Sequence, residues 1–88
     1  MAFRRGGAGK RRDANEPDII KGLKAYGVRV WQIHGRARPD LLCYYNRRWT
    51  PLEVKSARGR LTVAQQQIPW PVVRDLSQAL REVGVVLR

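Results

Sequence analysis

The chain has 88 residues and carries 18 Lys or Arg against seven Asp or Glu, a formal net charge of +11. That length allows one domain with a thin core and excludes large multidomain enzymes and repeat arrays. It has no apolar stretch near the roughly 20 residues of a membrane-spanning helix, no secretion-signal pattern, and a single cysteine, Cys43, which cannot form an internal disulfide. The expectation is a cytoplasmic domain with no membrane and no small-molecule cofactor. Its partner should be anionic, and nucleic acid is the commonest such partner.

Residues 1–12 hold Arg4, Arg5, Lys10, Arg11 and Arg12 among Gly6, Gly7 and Gly9, with no acid and little to bury. This composition predicts a disordered basic tail. The tail either contacts phosphates without regard to sequence, in a salt-dependent way, or is only solvated. It supplies five of the 18 basic residues, so residues 13–88 form a single domain with a smaller positive excess.

Asp13 to Gly27 reads as a helix: Asp13 or Asn15 can cap it, Pro17 suits the first turn, and Gly27 can end it. Ile19, Ile20, Leu23 and Tyr26 make one apolar face. Val28 to Ile33 alternates as a strand does, with Val28, Val30 and Gln32 on one side and Trp31 and Ile33 on the other. His34 to Arg38 is a loop, Asp40 to Tyr45 a second strand, Asn46-Arg47 a turn, and Arg48 to Lys55 a third strand. Pro51 predicts a bulge there or a locally unpaired edge. Ser56 to Arg60 is a basic loop.

Thr62 to Gln67 starts a short helix, with Thr62 and Gln65 at capping-box spacing, and Pro69 and Pro71 cut it off. Pro71 to Arg74 is a fourth strand. Asp75 to Val83 is an amphipathic helix closed by Gly84, and Val85 to Leu87 either adds an edge strand or frays. The fold class is α/β: a compact mixed sheet flanked by helices.

The acids carry the sharper signal. Residues two apart on a strand share a face, so Glu53 and Lys55 lie together and Leu52 and Val54 point to the core. If Asn46-Arg47 is a two-residue hairpin turn, Tyr45 faces Arg48 and, counting outward, Asp40 faces Glu53. Two carboxylates about 5 Å apart repel by about 3 kcal/mol at an effective dielectric of 20. A divalent cation offsets this, and hard oxygen ligands suit Mg²⁺ or Mn²⁺. A longer turn or a bulge at Pro51 would shift the opposition by one residue. The plainer reading is a turn cap at Asp40 and a surface ion pair at Glu53.

Pro39-Asp40 followed by Glu53-Val54-Lys55 resembles the signature of the PD-(D/E)XK nuclease superfamily. The runs His34 to Leu42, Leu52 to Ser56 and Gly59 to Gln65, with Val72 to Leu76 and Ala79-Leu80, are similar to the virus-type replication-repair nuclease (VRR-NUC) domain. The likeness spans about residues 13–83. It implies a restriction-endonuclease-like core in minimal form and a metal-dependent DNA endonuclease. Asp40 and Glu53 would bind Mg²⁺ or Mn²⁺ with the Val54 carbonyl, and Lys55 would orient the attacking water. Gln65 would sit beside the site, and Glu16 would be the acid of the first helix, with Asp18 as the other candidate. Two departures are Arg38, where the family commonly has Gly, and the short helix after Gln65.

The resemblance also implies structure-selective cutting of branched, flapped or Holliday-junction DNA by a homodimer, in a bacterial or phage-infected cell. Arg36, Arg38, Arg58 and Arg60 flank the acids in sequence and are phosphate-binding candidates. Cys43 reads as a buried small hydrophobe. Trp31, Trp49 and Trp70 read as core or dimer contacts, with base stacking by Trp49 or Tyr45 as the other use. The rival from a different class is a non-catalytic nucleic-acid-binding protein with the same basic surface.

Overall fold

The computed structural model describes residues 12–87. The first helix, α1, runs Glu16–Ala25. It starts later than the sequence suggests because Asp13 to Asn15 form a turn, in which the Glu16 N–H donates to the Asp13 carbonyl at 3.1 Å. Pro17 lies in the first turn, where its missing N–H costs nothing. Asn15 holds the N-cap position but makes no side-chain cap bond; its amide serves elsewhere.

Three antiparallel strands follow: β1 Arg29–Gln32, β2 Leu41–Tyr45 and β3 Arg48–Val54. Asn46 and Arg47 join β2 to β3, both at positive φ (52° and 65°), as a type I′ turn requires. This turn sets the expected register, with Tyr45 opposite Arg48 and Leu41 opposite Leu52. Pro51 lies opposite Leu42 without a bulge. The β4 pairing begins only at Glu53, so among the described residues no strand borders Pro51 on its other side. The unpaired-edge expectation therefore holds and the bulge does not.

The one-turn helix α2, Val63–Gln66, opens on the capping box. Thr62 Oγ1 accepts the Gln65 N–H at 3.1 Å, and Gln65 Oε1 accepts the Thr62 N–H at 3.0 Å. The chain then returns as β4, Val72–Val73, parallel to β3. Helix α3, Leu76–Val83, is capped by Asp75, whose carboxylate accepts the Gln78 N–H at 2.8 Å. It ends at Gly84, which takes the left-handed conformation (φ 93°) that glycine adopts at least cost. The Val85 N–H closes back onto the Leu80 carbonyl, and Val85 to Leu87 add no strand.

The result is a four-stranded mixed sheet, ordered β1-β2-β3-β4, in an α/β domain. Leu41, Cys43, Leu52, Val54 and Val73 point to one face and are buried under Ile19 and Leu23 of α1 and Ala79, Leu80 and Val83 of α3. Each fully buried Leu or Val contributes about 1.5–3 kcal/mol. Burial pushes the Cys43 thiol up to about 12, so it is an inert core residue, as its place in the strand suggests. Trp31 and Trp49 are not core residues: both sit on the opposite face with about half of each side chain in water. Among the described residues, no helix is long and apolar enough to cross a membrane.

Candidate active site

The antiparallel register brings the end of β1, the start of β2 and the end of β3 to one end of the sheet, with Gln32 opposite Leu41 and Leu41 opposite Leu52. The start of α1 meets the same end, where the Gln32 amide donates to Glu16 Oε2 at 3.1 Å. The seven acids all lie within the described residues, and just three are buried: Glu16 (1% exposed), Asp40 (5%) and Glu53 (9%). All three lie at this end. Asp18, the other candidate on the first helix, is exposed, so Glu16 is the acid that helix phase turns inward.

Asp40 is fixed through its backbone and its side chain. Its N–H donates to the Leu52 carbonyl at 3.0 Å, and its carbonyl accepts the Ile33 N–H at 2.9 Å. Its Oδ2 accepts the Val54 N–H at 2.8 Å. The carboxylate thus reaches across to β3 just past Glu53, whose own N–H turns the other way, to the Pro71 carbonyl. N–H and C=O of an extended residue point to the same strand edge, so the Val54 carbonyl is directed toward the Asp40 side of β3.

Arg12 closes the acidic pair on its other flank. One guanidinium nitrogen lies 3.0 Å from Glu16 Oε2 and 3.5 Å from Asp40 Oδ1, and donates to the Asp40 carbonyl at 3.3 Å. The other donates to the Ile33 carbonyl at 2.8 Å and lies 3.4 Å from His34 Nδ1. Burial nonetheless raises the Glu16 carboxyl above its ordinary range, with the Asp40 and Asp13 charges adding to the effect. The Gln32 hydrogen bond and the Arg12 charge pull it part of the way back. Arg12 is therefore not a tail residue held out to phosphate, as the charge run suggested. Arg4, Arg5, Lys10 and Arg11 lie outside the described residues.

Glu53 faces a cavity of about 210 Å³, lined also by Arg36, Ala37, Arg38, Ala64, Gln65, Ile68 and Trp70. The Trp70 indole N–H donates to Glu53 Oε1 at 3.0 Å. Trp70 is thus a partner of a site carboxylate rather than a core filler. Gln65 completes the capping box and also lines the cavity with Glu53. Arg36 and Arg38 stand at the cavity beside Glu53, whereas Arg58 and Arg60 are exposed on the loop after β3 and are not part of its wall.

Lys55 extends the β3–β4 ladder, with its N–H on the Val73 carbonyl at 3.0 Å, two residues after the equivalent Glu53 bond. Glu53 and Lys55 therefore share a face, as the spacing predicts. The lysine stem lies against Gly59: a β-carbon there would sit 2.8 Å from Lys55 Cε and would also collide with Ser56 Oγ. The Asn15 amide ties this strand end to α1, donating to the Lys55 carbonyl at 3.1 Å and the Arg74 carbonyl at 2.8 Å. Its Oδ1 is buried without a partner. Arg74 in turn donates to the carbonyls of Ser56 (2.7 Å) and Gly59 (2.6 Å), which fixes the loop under Lys55.

Asn15, Trp70 and Arg74 were not predicted as site residues, and Arg12 was predicted only as a phosphate contact of the basic tail. Their roles depend on partners up to 59 residues away, and no local pattern reports such contacts. Among the described residues, no three His, Cys, Asp or Glu side chains gather closely enough to hold a metal between them. Glu16 Oε2 and Asp40 Oδ1 lie 3.0 and 3.5 Å from the same Arg12 nitrogen, and the Asp40 carboxylate bonds the N–H of the residue after Glu53. Asp40, Glu53 and the Val54 carbonyl offer hard oxygens at this end of the sheet. That set fits Mg²⁺, which typically takes one or two carboxylates and completes its shell with water and substrate phosphate. Comparison of the chain with protein-family models, with curated proteins and with solved structures finds no match.

Proposed function

We propose that the protein is a metal-dependent DNA endonuclease with a minimal restriction-endonuclease-like core of the VRR-NUC kind. The observation that supports this best is the placing of two buried carboxylates, Asp40 and Glu53, at the adjoining ends of β2 and β3 in a chain of net charge +11. A turn cap at Asp40 would bond a neighbouring N–H, whereas its carboxylate bonds Val54 on the next strand, and Glu53 is buried against the Trp70 indole rather than paired at the surface.

In this reading Asp40 and Glu53 hold Mg²⁺ or Mn²⁺ with the Val54 carbonyl. When bound, the ion supplies Lewis-acid polarisation of the phosphoryl oxygen and lowers the pKa of a water. Lys55, on the Glu53 face, orients that water and adds positive charge where negative charge develops. Arg36 and Arg38 bind phosphates at the cavity mouth, and Gln65 stands beside Glu53. Two copies related by a two-fold axis would place two such sites on opposed strands of a branched duplex.

A second reading, a non-catalytic DNA-binding protein, has one observation behind it. Arg12 already lies between Glu16 and Asp40 as a built-in cation. Incubating the protein with linear, flapped and four-way DNA, in Mn²⁺ or in EDTA, separates the two. The nuclease reading expects cutting in Mn²⁺ alone, abolished by Glu53→Ala. No cleavage of any substrate, or cleavage unaffected by that substitution, overturns it.

A further inference from the structure

One face of the sheet is covered by α1 and α3; the other bears Trp31, Tyr44 and Trp49. Tyr44 is directly opposite both Arg29 and Trp49, and Trp31 is opposite Leu42, one step along. Residues opposite one another, or two apart on a strand, share a face. Trp49 and Tyr44 have ring centroids 4.7 Å apart, and Trp49 and Trp31 5.5 Å apart. Trp31 is 44% exposed and Trp49 54%. Burying Trp is among the most favourable things a small domain can do, so a cluster left half in water is the kind of exposed patch that marks an interaction surface.

The charge around it selects the occupant. Arg29 is exposed on this face, and Arg47 is exposed at the turn beside Trp49. A second copy seated on this face would set the same arginines against one another. An anionic polymer with flat apolar groups meets both requirements, because its phosphates take the arginines and its bases take the rings. The face is also continuous with the candidate site. From Trp49, the same side of β3 reaches Glu53 after four residues, about 13 Å at strand rise.

We propose that Trp31, Tyr44 and Trp49 form a stacking platform for the unpaired bases of single-stranded DNA, which leads a strand along β3 to the Asp40–Glu53 end of the sheet. This deepens the endonuclease reading and rests on it for the choice of DNA. It makes the preferred substrate one with an unpaired stretch beside the scissile bond, since bases stacked inside a duplex offer no free face to the rings.

The test is binding of fluorescein-labelled oligothymidylate and of a duplex of equal length, measured by anisotropy in EDTA, for the wild type, Trp31→Ala, Trp49→Ala and Trp49→Phe. Urea midpoints confirm that each variant folds, and sedimentation gives its mass. Each Trp→Ala change should weaken single-strand binding by about 5- to 150-fold, the range for loss of one base–aromatic stack. Duplex binding should shift less than about twofold by comparison, and Trp49→Phe should recover most of the loss. Unchanged single-strand affinity overturns the proposal. So does a fall in mass in the alanine variants, which would make the platform a contact between copies. Because EDTA removes any metal, this result is independent of catalysis: a protein that never cuts DNA can still pass, and an active nuclease can still fail.

Discussion

Asp40 Oδ2 and the Val54 N–H are joined by a 2.8 Å hydrogen bond in a place where both groups are shut off from water. The bond does two jobs. It aims one carboxylate across the sheet toward the strand that carries Glu53, and it satisfies a backbone donor where the β2–β3 ladder has already ended. Asp40→Ala should therefore lower stability by about 1–3 kcal/mol, the cost of a buried donor left unpaired. Asp40→Asn keeps an acceptor and should recover most of that in urea unfolding, while any Mn²⁺-dependent cleavage stays absent in both variants.

Arg12 offers a second separation of stability from chemistry. Its guanidinium joins the start of α1 to the ends of β1 and β2 through Glu16, Ile33 and Asp40. Arg12→Ala leaves Glu16 buried with one charge partner fewer and should cost about 1–3 kcal/mol. If the guanidinium competes with a divalent ion for Asp40, the same variant should bind Mn²⁺ more tightly in calorimetry, despite melting earlier.

Glu16 provides a dependence on pH. Its carboxyl is raised above the ordinary value of 4.5, first by burial. A carboxyl raised in the folded state binds more protons folded than unfolded between the two values, so its share of stability is lost as pH rises through them. Glu16→Gln removes that slope. The stability difference between Glu16→Gln and the wild type should move in favour of the variant as pH rises from about 4 toward 7, read from urea midpoints at each pH.

Arg47 has φ 65° in the second position of the hairpin turn, where a β-carbon is unfavourable. Arg47→Gly turns the pair into Asn-Gly, the preferred type I′ sequence. It should raise stability by about 0.5–1 kcal/mol in thermal or urea unfolding.

Gly59 tests the loop beneath Lys55. An alanine there must push aside the lysine stem and Ser56. Gly59→Ala should cut Mn²⁺-dependent cleavage at least tenfold with little change in DNA affinity, measured by single-turnover rates beside anisotropy.

Much of this architecture is legible in local chemistry. Asn46-Arg47 predicts the hairpin and its register, Thr62 and Gln65 predict their capping box, and Gly84 predicts where α3 stops. Each signal lies within a few residues of its effect. Choosing Glu16 over Asp18 needed the phase of α1 against the sheet, which Pro17 blurs. Arg12 was hidden because it ends a basic run whose composition reads as tail. Trp70 follows a proline and looks like any core aromatic until β4 brings its N–H to Glu53. Asn15 resembles a helix cap, and only the meeting of β3 and β4 shows its amide spent on two strand carbonyls.

The two-residue turn has a further consequence. Side chains on β3 alternate strictly between the hydrophobic interior and the Glu53 side, so a hairpin slipped by one residue would move Leu52 into water and Glu53 into the core together. A mispaired chain loses its interior and its carboxylate pair in one step. Quality control in the cell, which sees only exposed apolar surface, would therefore also remove the molecules whose acids are misaligned. Nearly every copy that survives as a folded protein would then carry Asp40 and Glu53 in the same arrangement.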